Sequence, residues 1–418
     1  MDFFNYHNGK LHVEGVDVCS IADKFDTPLY VYSRSALESN FNAYSECLEN
    51  WPSLICYAVK ANSNLAVLNI LARHGAGFDI VSVGELERVL AAGGNASKVV
   101  FSGVGKKTME IERALEVGIH CFNVESEAEL DRIQILANKM NTIAPISLRV
   151  NPDVDAKTHP YISTGLKDNK FGVDISHATA LYQKASAMSN IKIIGIAFHI
   201  GSQLISTRPL MDALDRVICL IDTLENKGIN IRQLDIGGGL GVSYNQETPP
   251  SPGEYIKDVI QKIKGRNLKL LVEPGRSIAA QAGILLTKVE LIKITDQKAF
   301  AIVDAAMNDQ VRPSMYGAYH DIVPVNDPAK DYGSEMVYDI VGPICETGDF
   351  LGKGRSMCIK ENDFLAVKSA GAYGFSMSSN YNSRNRPAEV IVDNGQVHLV
   401  RRRETFTEQI SPESLLPQ

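Results

Sequence analysis

A lysine that closes an apolar run is the first group in this chain equipped for chemistry. Ile55-Cys56-Tyr57-Ala58-Val59 leads without a charged residue into Lys60, Ala61 and Asn62. Residues 54–59 have the β-branched and aromatic content of a strand covered on both faces, and 64–74 follow with helical periodicity. Lys60 is therefore expected at a strand's carboxyl end. An amine in that position either pairs with an acid, the more ordinary role, or loses its proton on burial and becomes a Schiff-base nucleophile.

Further polar residues punctuate later apolar runs in the same manner: Asp79 and Ser82, Ser102, Glu125, Arg149 and Asn151, His199 and Ser202, Gly237 to Gly241, and Glu273-Pro274-Gly275-Arg276. If the runs are strands of one parallel sheet, these residues share its carboxyl rim, where α/β enzymes keep their chemistry. The glycine run reads either as a tight turn or as backbone N–H groups able to approach an anion. Glu273 and Arg276 form a local ion pair, or else Glu273 meets a protonatable ring nitrogen and Arg276 is left to hold a carboxylate. His199 is either a satisfied core histidine or an imidazole placed to stack on an aromatic ring.

The elements that must position these residues alternate regularly. Strands are expected at 54–59, 78–82, 98–102, 119–124, 145–150, 193–199, 231–236 and 268–273. Helices are expected at 35–50, 64–74, 84–92, 107–117, 126–140, 176–188, 208–227 and 254–264. Eight strands so spaced favour a closed parallel (β/α)8 barrel of the TIM type over an open doubly wound sheet. Past residue 283 the pattern changes to period-two alternation at 285–294, 299–304, 336–341, 363–368 and 388–400, with an Asn394-Gly395 hairpin signal. That half reads as a mainly antiparallel β-barrel or sandwich. The strand-like stretches 10–18 and 28–32 precede the barrel, so the expected division is 34–282 for the barrel and 1–33 with 283–418 for the β domain. Arg312 and Tyr316 are spaced to project from one helical turn, and Cys345-Glu346-Thr347-Gly348-Asp349 and Gly371-Ala372-Tyr373-Gly374 are polar loops.

Composition excludes other classes. A net charge of −7 and a pI near 5.8 offer no basic surface for nucleic acid. No apolar run has the length of a membrane span, and the first residues lack the pattern of a signal peptide, so a cytoplasmic protein is expected. Seven scattered cysteines without a CxxC pair argue against a disulfide framework or a metal site.

YAVKAN, FDIVSVGEL, HIGSQ, DIGGGLG, EPGR, RPSMY, CETGD and GAYG stand along this chain in the order found in a known family. The chain resembles the fold-type III, alanine-racemase-like pyridoxal-phosphate decarboxylases over nearly its entire length. The resemblance implies pyridoxal 5'-phosphate held by Lys60, Glu273 at the pyridine nitrogen and His199 stacked on the ring. Asp79, Ser202, Gly238, Gly239, Gly275, Arg276 and Tyr373 complete the implied cofactor set. Arg276, Arg312, Tyr316, Glu346 and Tyr373 would contact the substrate, with Cys345 as the proton-donating thiol. Cys345 and Glu346 would come from the neighbouring subunit of a homodimer. The arginines and the Cys-Glu pair favour meso-2,6-diaminopimelate, decarboxylated to L-lysine, over ornithine, arginine or carboxynorspermidine; racemisation is the other activity of the fold.

Overall fold

The structure, a computed structural model, describes residues 3–155, 170–326 and 335–417. Two compact units emerge, one of residues 38–243 and 247–278, the other of 1–37, 244–246 and 279–418.

The first unit is a closed parallel barrel. After helix α1 (Arg34–Leu48), strands and helices alternate: β1 (Ser53–Ala58), α2 (Leu65–Arg73), β2 (Gly77–Ile80), α3 (Val83–Ala91), β3 (Val99–Phe101), α4 (Thr108–Val117), β4 (Cys121–Val124) and α5 (Glu127–Lys139). The series continues with β5 (Ala144–Asn151), α6 (Ile175–Ser186), β6 (Ile191–Ala197), α7 (Arg208–Asn226), β7 (Gln233–Asp235), α8 (Pro252–Ile263) and β8 (Lys269–Val272). Each strand pairs in parallel with the next, and β8 returns to β1 with Leu270 opposite Ser53. The expected barrel and all eight of its strands are therefore present. Helix starts follow local chemistry. Asn64 and Ser82 accept from the N–H groups of Ala66 and Glu85, and Ser251 forms a reciprocal capping box with Glu254.

Inside the barrel, Leu54, Cys56, Val100, Cys121 and Leu271 pack as one buried cluster. Side chains alternate along a strand, so the residue two places further on points to the same interior but nearer the carboxyl rim. Those residues are Ser102 above Val100, Asn123 above Cys121 and Glu273 above Leu271. Polar groups thus stand directly on an apolar layer, and the period of the strand puts them there.

The second unit is mainly β. Phe4–His7, Lys10–Val13 and Val16–Asp17 make a small antiparallel sheet. A nine-stranded sheet is built around Gly283–Ile294, which pairs antiparallel with Leu29–Ser33, Ala299–Val303 and Phe364–Val367. Two pairings are parallel, Ala299–Val303 with Met336–Val341 and Leu29–Ser33 with Ala388–Asp393. The expected hairpin is present, with Asp393 opposite Gln396 and φ of 48° and 79° at Asn394 and Gly395. Its core joins Leu29 and Val31 to Ile284, Leu286, Val390 and Val392. Among the described residues, no helix is long and apolar enough to cross a membrane.

Candidate active site

Lys60 lies in the single 3-10 turn Val59–Ala61 that follows β1, and its Nζ is 2.5 Å from Asp79 Oδ2 at the end of β2. The Asp79 carboxyl is fully buried, whereas the lysine side chain is 43% exposed at the rim. The ordinary expectation, an ion pair, is thus met, and the amine is accessible rather than sealed in the core. Asp79 Oδ1 is buried without a hydrogen-bond partner among the described residues. Close by, Glu85 accepts from Val81 N–H at 2.7 Å; burial pushes its carboxyl up to about 7 against the pull of Lys60.

A second cluster stands on the apolar layer. Asn123 Nδ2 donates to Ser102 Oγ at 3.1 Å, to Asp235 Oδ2 at 3.2 Å and to Glu273 Oε1 at 3.4 Å. Burial raises the Glu273 carboxyl well above the usual carboxylate range, and the acids Asp235 and Asp79 raise it further. A carboxyl in that state can carry a proton or pass it to a nitrogen base.

The glycine run after β7 is locked to the loop after β6. Leu204 N–H donates to Gly239 O at 2.8 Å and Gly241 N–H to Leu204 O at 3.0 Å, while the Gln203 amide bonds both ways with Val242. Glu273 N–H and Tyr255 Oη take the carbonyls of Gly237 and Gly238. With those carbonyls occupied, the N–H groups of Gly238 and Gly239 donate to no hydrogen bond among the described residues. Glycine is required here: a Cβ on Gly238 would stand 2.2 Å from Glu273 O, and one on Gly239, at φ 109°, 2.4 Å from Gly201 O. Arg276, buried at the start of a short helix after β8, donates through Nη2 to Ser202 Oγ at 2.9 Å. Free N–H groups and a guanidinium suit an anion.

His199 is packed beside Gly237, where a Cβ would come within 2.7 Å of Nδ1. Burial, with Arg149 and Lys60 adding like charge, lowers its pKa to about 3, so the ring is neutral at working pH. A flat uncharged imidazole can lie against an aromatic ring. Arg149 itself bonds Glu125 at 2.9 Å, and the other Glu125 oxygen accepts from Gly172 N–H at 2.7 Å. These two rim residues act as a clamp between loops.

The barrel set fits pyridoxal phosphate on its own chemistry: an accessible amine, a carboxyl held ready for a ring nitrogen, a neutral flat ring and an anion cradle. Gly275 allows close packing, since a Cβ there would lie 3.0 Å from those of Ala58 and Ala61.

The remaining expected site residues belong to the β unit. Arg312 and Tyr316 do share one helical turn, Arg312–Tyr316. The Arg312 guanidinium lies 4.6 Å from the Tyr244 ring centre and 2.8 Å from His320 Nε2. Cys345 and Glu346 lie exposed on a loop clamped by Asp349, whose carboxylate accepts from the N–H groups of Ile344 and Met307, each at 2.7 Å. Tyr381 Oη bonds Glu346, and Asn382 Oδ1 accepts from Cys345 N–H at 3.1 Å. Tyr373 is held at φ 58°, in the left-handed region that is costly for a tyrosine.

Sequence reasoning missed Asp235, Asn123, Glu85 and Asn382. A partial signal existed for one of them: Asn123 interrupts the short, otherwise apolar strand Cys121–Val124.

The family described as "Pyridoxal-dependent decarboxylase, pyridoxal binding domain" matches residues 34–280. Diaminopimelate decarboxylase of Pseudomonas aeruginosa is 59% identical across 100% of both chains, and that of Vibrio cholerae is 57% identical across 100% of both. Among solved structures, diaminopimelate decarboxylase of M. jannaschii has a TM-score of 0.95 at 37% identity, covering 100% of this chain and 98% of that one. The Helicobacter pylori enzyme complexed with L-lysine has a TM-score of 0.91 at 40% identity, covering 95% and 99%.

Proposed function

The chain belongs to the pyridoxal-dependent decarboxylases, and on that premise we propose that it removes CO2 from the D-centre of meso-2,6-diaminopimelate to give L-lysine. Full-length likeness to diaminopimelate decarboxylases supports the substrate. The observation that carries the chemistry is the convergence of Lys60 with Asp79, Glu273 with Asp235 and Asn123, and Arg276 with Ser202 on one barrel rim.

When bound, pyridoxal phosphate supplies the electron sink that takes up the pair left behind by departing CO2. The chain's own groups hold and tune it. Lys60 provides the anchoring amine, and Asp79 keeps that amine at the rim. Glu273 would hold a proton at the ring nitrogen, the condition under which the sink is strong. The Gly238 and Gly239 N–H groups, with Gly275 and Arg276, would hold its phosphate, and the neutral His199 ring would lie against the cofactor ring. In the β unit, Arg312 offers a guanidinium to the distal carboxylate and Glu346 a carboxylate to the distal amine. Tyr316 and Tyr373 add hydroxyls, and the Cys345 thiol returns a proton to the carbon that lost CO2.

Within this reading, residues 34–282 form the cofactor-binding domain, while 1–33 and 283–418 carry the substrate and dimer-contact loops. The working unit is a cytoplasmic homodimer in which Cys345 and Glu346 of one protomer serve its partner's barrel. Incubating the holoenzyme with meso-2,6-diaminopimelate should release CO2 and L-lysine in equal amounts. Turnover of ornithine, arginine or carboxynorspermidine instead would overturn the substrate, and α-hydrogen exchange without CO2 would make the protein a racemase.

A further inference from the structure

Asp235 is given no role of its own above, yet it is only 1% exposed on β7 and shares the Asn123 amide with Glu273. Its Oδ1 accepts from Gly237 N–H at 2.9 Å and its Oδ2 from Asn123 Nδ2 at 3.2 Å. Asn123 Nδ2 also reaches Glu273 Oε1, and its Oδ1 is buried without a hydrogen-bond partner among the described residues. The reverse orientation of the amide would face a carbonyl oxygen toward two carboxyls. That sacrifice shows what the site is built around.

The other charged groups acting on the pair stand on β2 and just after β1. Asp79 on β2 raises both acids, and the Lys60 ammonium after β1 is the cation that acts on Glu273. The buried thiols of Cys56 and Cys121 beneath are neutral, their pKa values raised by burial and by these same acids. Two adjacent buried carboxylates cannot both ionise cheaply, so they titrate as a unit. Asn123 Nδ2 reaches an oxygen of each acid, and Glu273, raised the further of the two by burial and by Asp235, is the one that holds the proton.

We propose that Asp235 is a positioning residue for the reaction, acting with Asn123 and Glu273 as a carboxyl pair that stores one proton and keeps it at the ring nitrogen of bound pyridoxal phosphate. This rests on the reading of the barrel rim as the cofactor site. On loading, the proton leaves a Glu273 oxygen for the ring nitrogen. The pair goes from one negative charge to two while the ring gains one positive charge, so no net proton enters or leaves. Asp235 then supplies the second anion that holds the ring proton against rising pH.

The test uses holoenzyme carrying pyridoxal phosphate labelled with 15N in the ring, whose nitrogen resonance reports protonation across a pH series. Asp235→Asn should lower the pH at which that nitrogen loses its proton by about one unit or more, a tenfold change in acidity. An unchanged profile in a variant that still folds and binds cofactor would reduce Asp235 to a structural role. Should the variant fail to fold, infrared spectra of the full-length wild type freed of cofactor decide. A protonated-carboxyl band at neutral pH, lost in Glu273→Gln, is expected, and its absence overturns the pair. A missing band with normal cofactor uptake removes only this inference. A band in a chain that never takes up pyridoxal phosphate removes the reading of the site, and this role with it.

Discussion

At the scale of single residues, chemistry here depends on a few side chains whose protonation is set by burial. On the proposed role of Lys60 as the anchoring amine, Lys60→Ala should abolish the visible absorbance of the lysine-bound cofactor and its trapping by borohydride. Turnover should fall on the order of 10³-fold or more. Survival of the absorbance band would assign the cofactor to another lysine. His199 gives a stability prediction with a definite sign. Its folded pKa of about 3 lies below the ordinary value of 6.5, so between these values the unfolded chain binds more protons and stability falls as pH falls. Between pH 7.5 and 5.0 the wild type should lose about 2 kcal/mol more than His199→Gln, read from urea midpoints of the cofactor-free chain. A parallel pair of curves would show that the imidazole is solvated in the folded state.

Elements were legible wherever local signals agreed. All eight barrel strands and their helices fall where apolar runs, periodicity and capping residues place them, because each βα unit is specified within its own thirty or so residues. Failures have local causes. The stretch 10–18 reads as one strand, but Glu14 and Gly15 at φ 46° and 82° turn the chain back, and Asp17 then caps a helix, Val18–Phe25. Strand Phe350–Met357 escaped notice because two glycines and two cations interrupt it, and its neighbours in the sheet supply the pairing its own pattern lacks. In the candidate site, residues closing apolar runs could be read directly. Asp235 and Asn123 could not, since only barrel closure brings β4, β7 and β8 side chains together. The turn after β7 yields its own prediction. Gly238→Ala would drive a methyl group into Glu273 O, so cofactor affinity should drop at least about tenfold, with about 1–3 kcal/mol of stability lost. Equilibrium dialysis and denaturant melts measure both; a tolerant site would mean the loop shifts freely and is no rigid anion cradle.

For the molecule as a whole, the open question is which barrel each β unit serves. Cys345 and Glu346 are exposed, on a loop that Asp349 and Asn382 hold in shape. On the proposed role of Cys345 as proton donor, its exposed thiol needs a second surface to cover it. In a homodimer with shared sites, Lys60→Ala and Cys345→Ala proteins would each be inactive alone but would complement on mixing. Random reassortment makes half the dimers mixed, and in each mixed dimer one site carries both substitutions while the other is intact. Activity should therefore recover to about a quarter of the wild-type value. If Cys345 instead served the barrel of its own chain, every site in a mixed dimer would carry one lesion and no activity would return. The yield on mixing therefore distinguishes the two arrangements without knowledge of the interface.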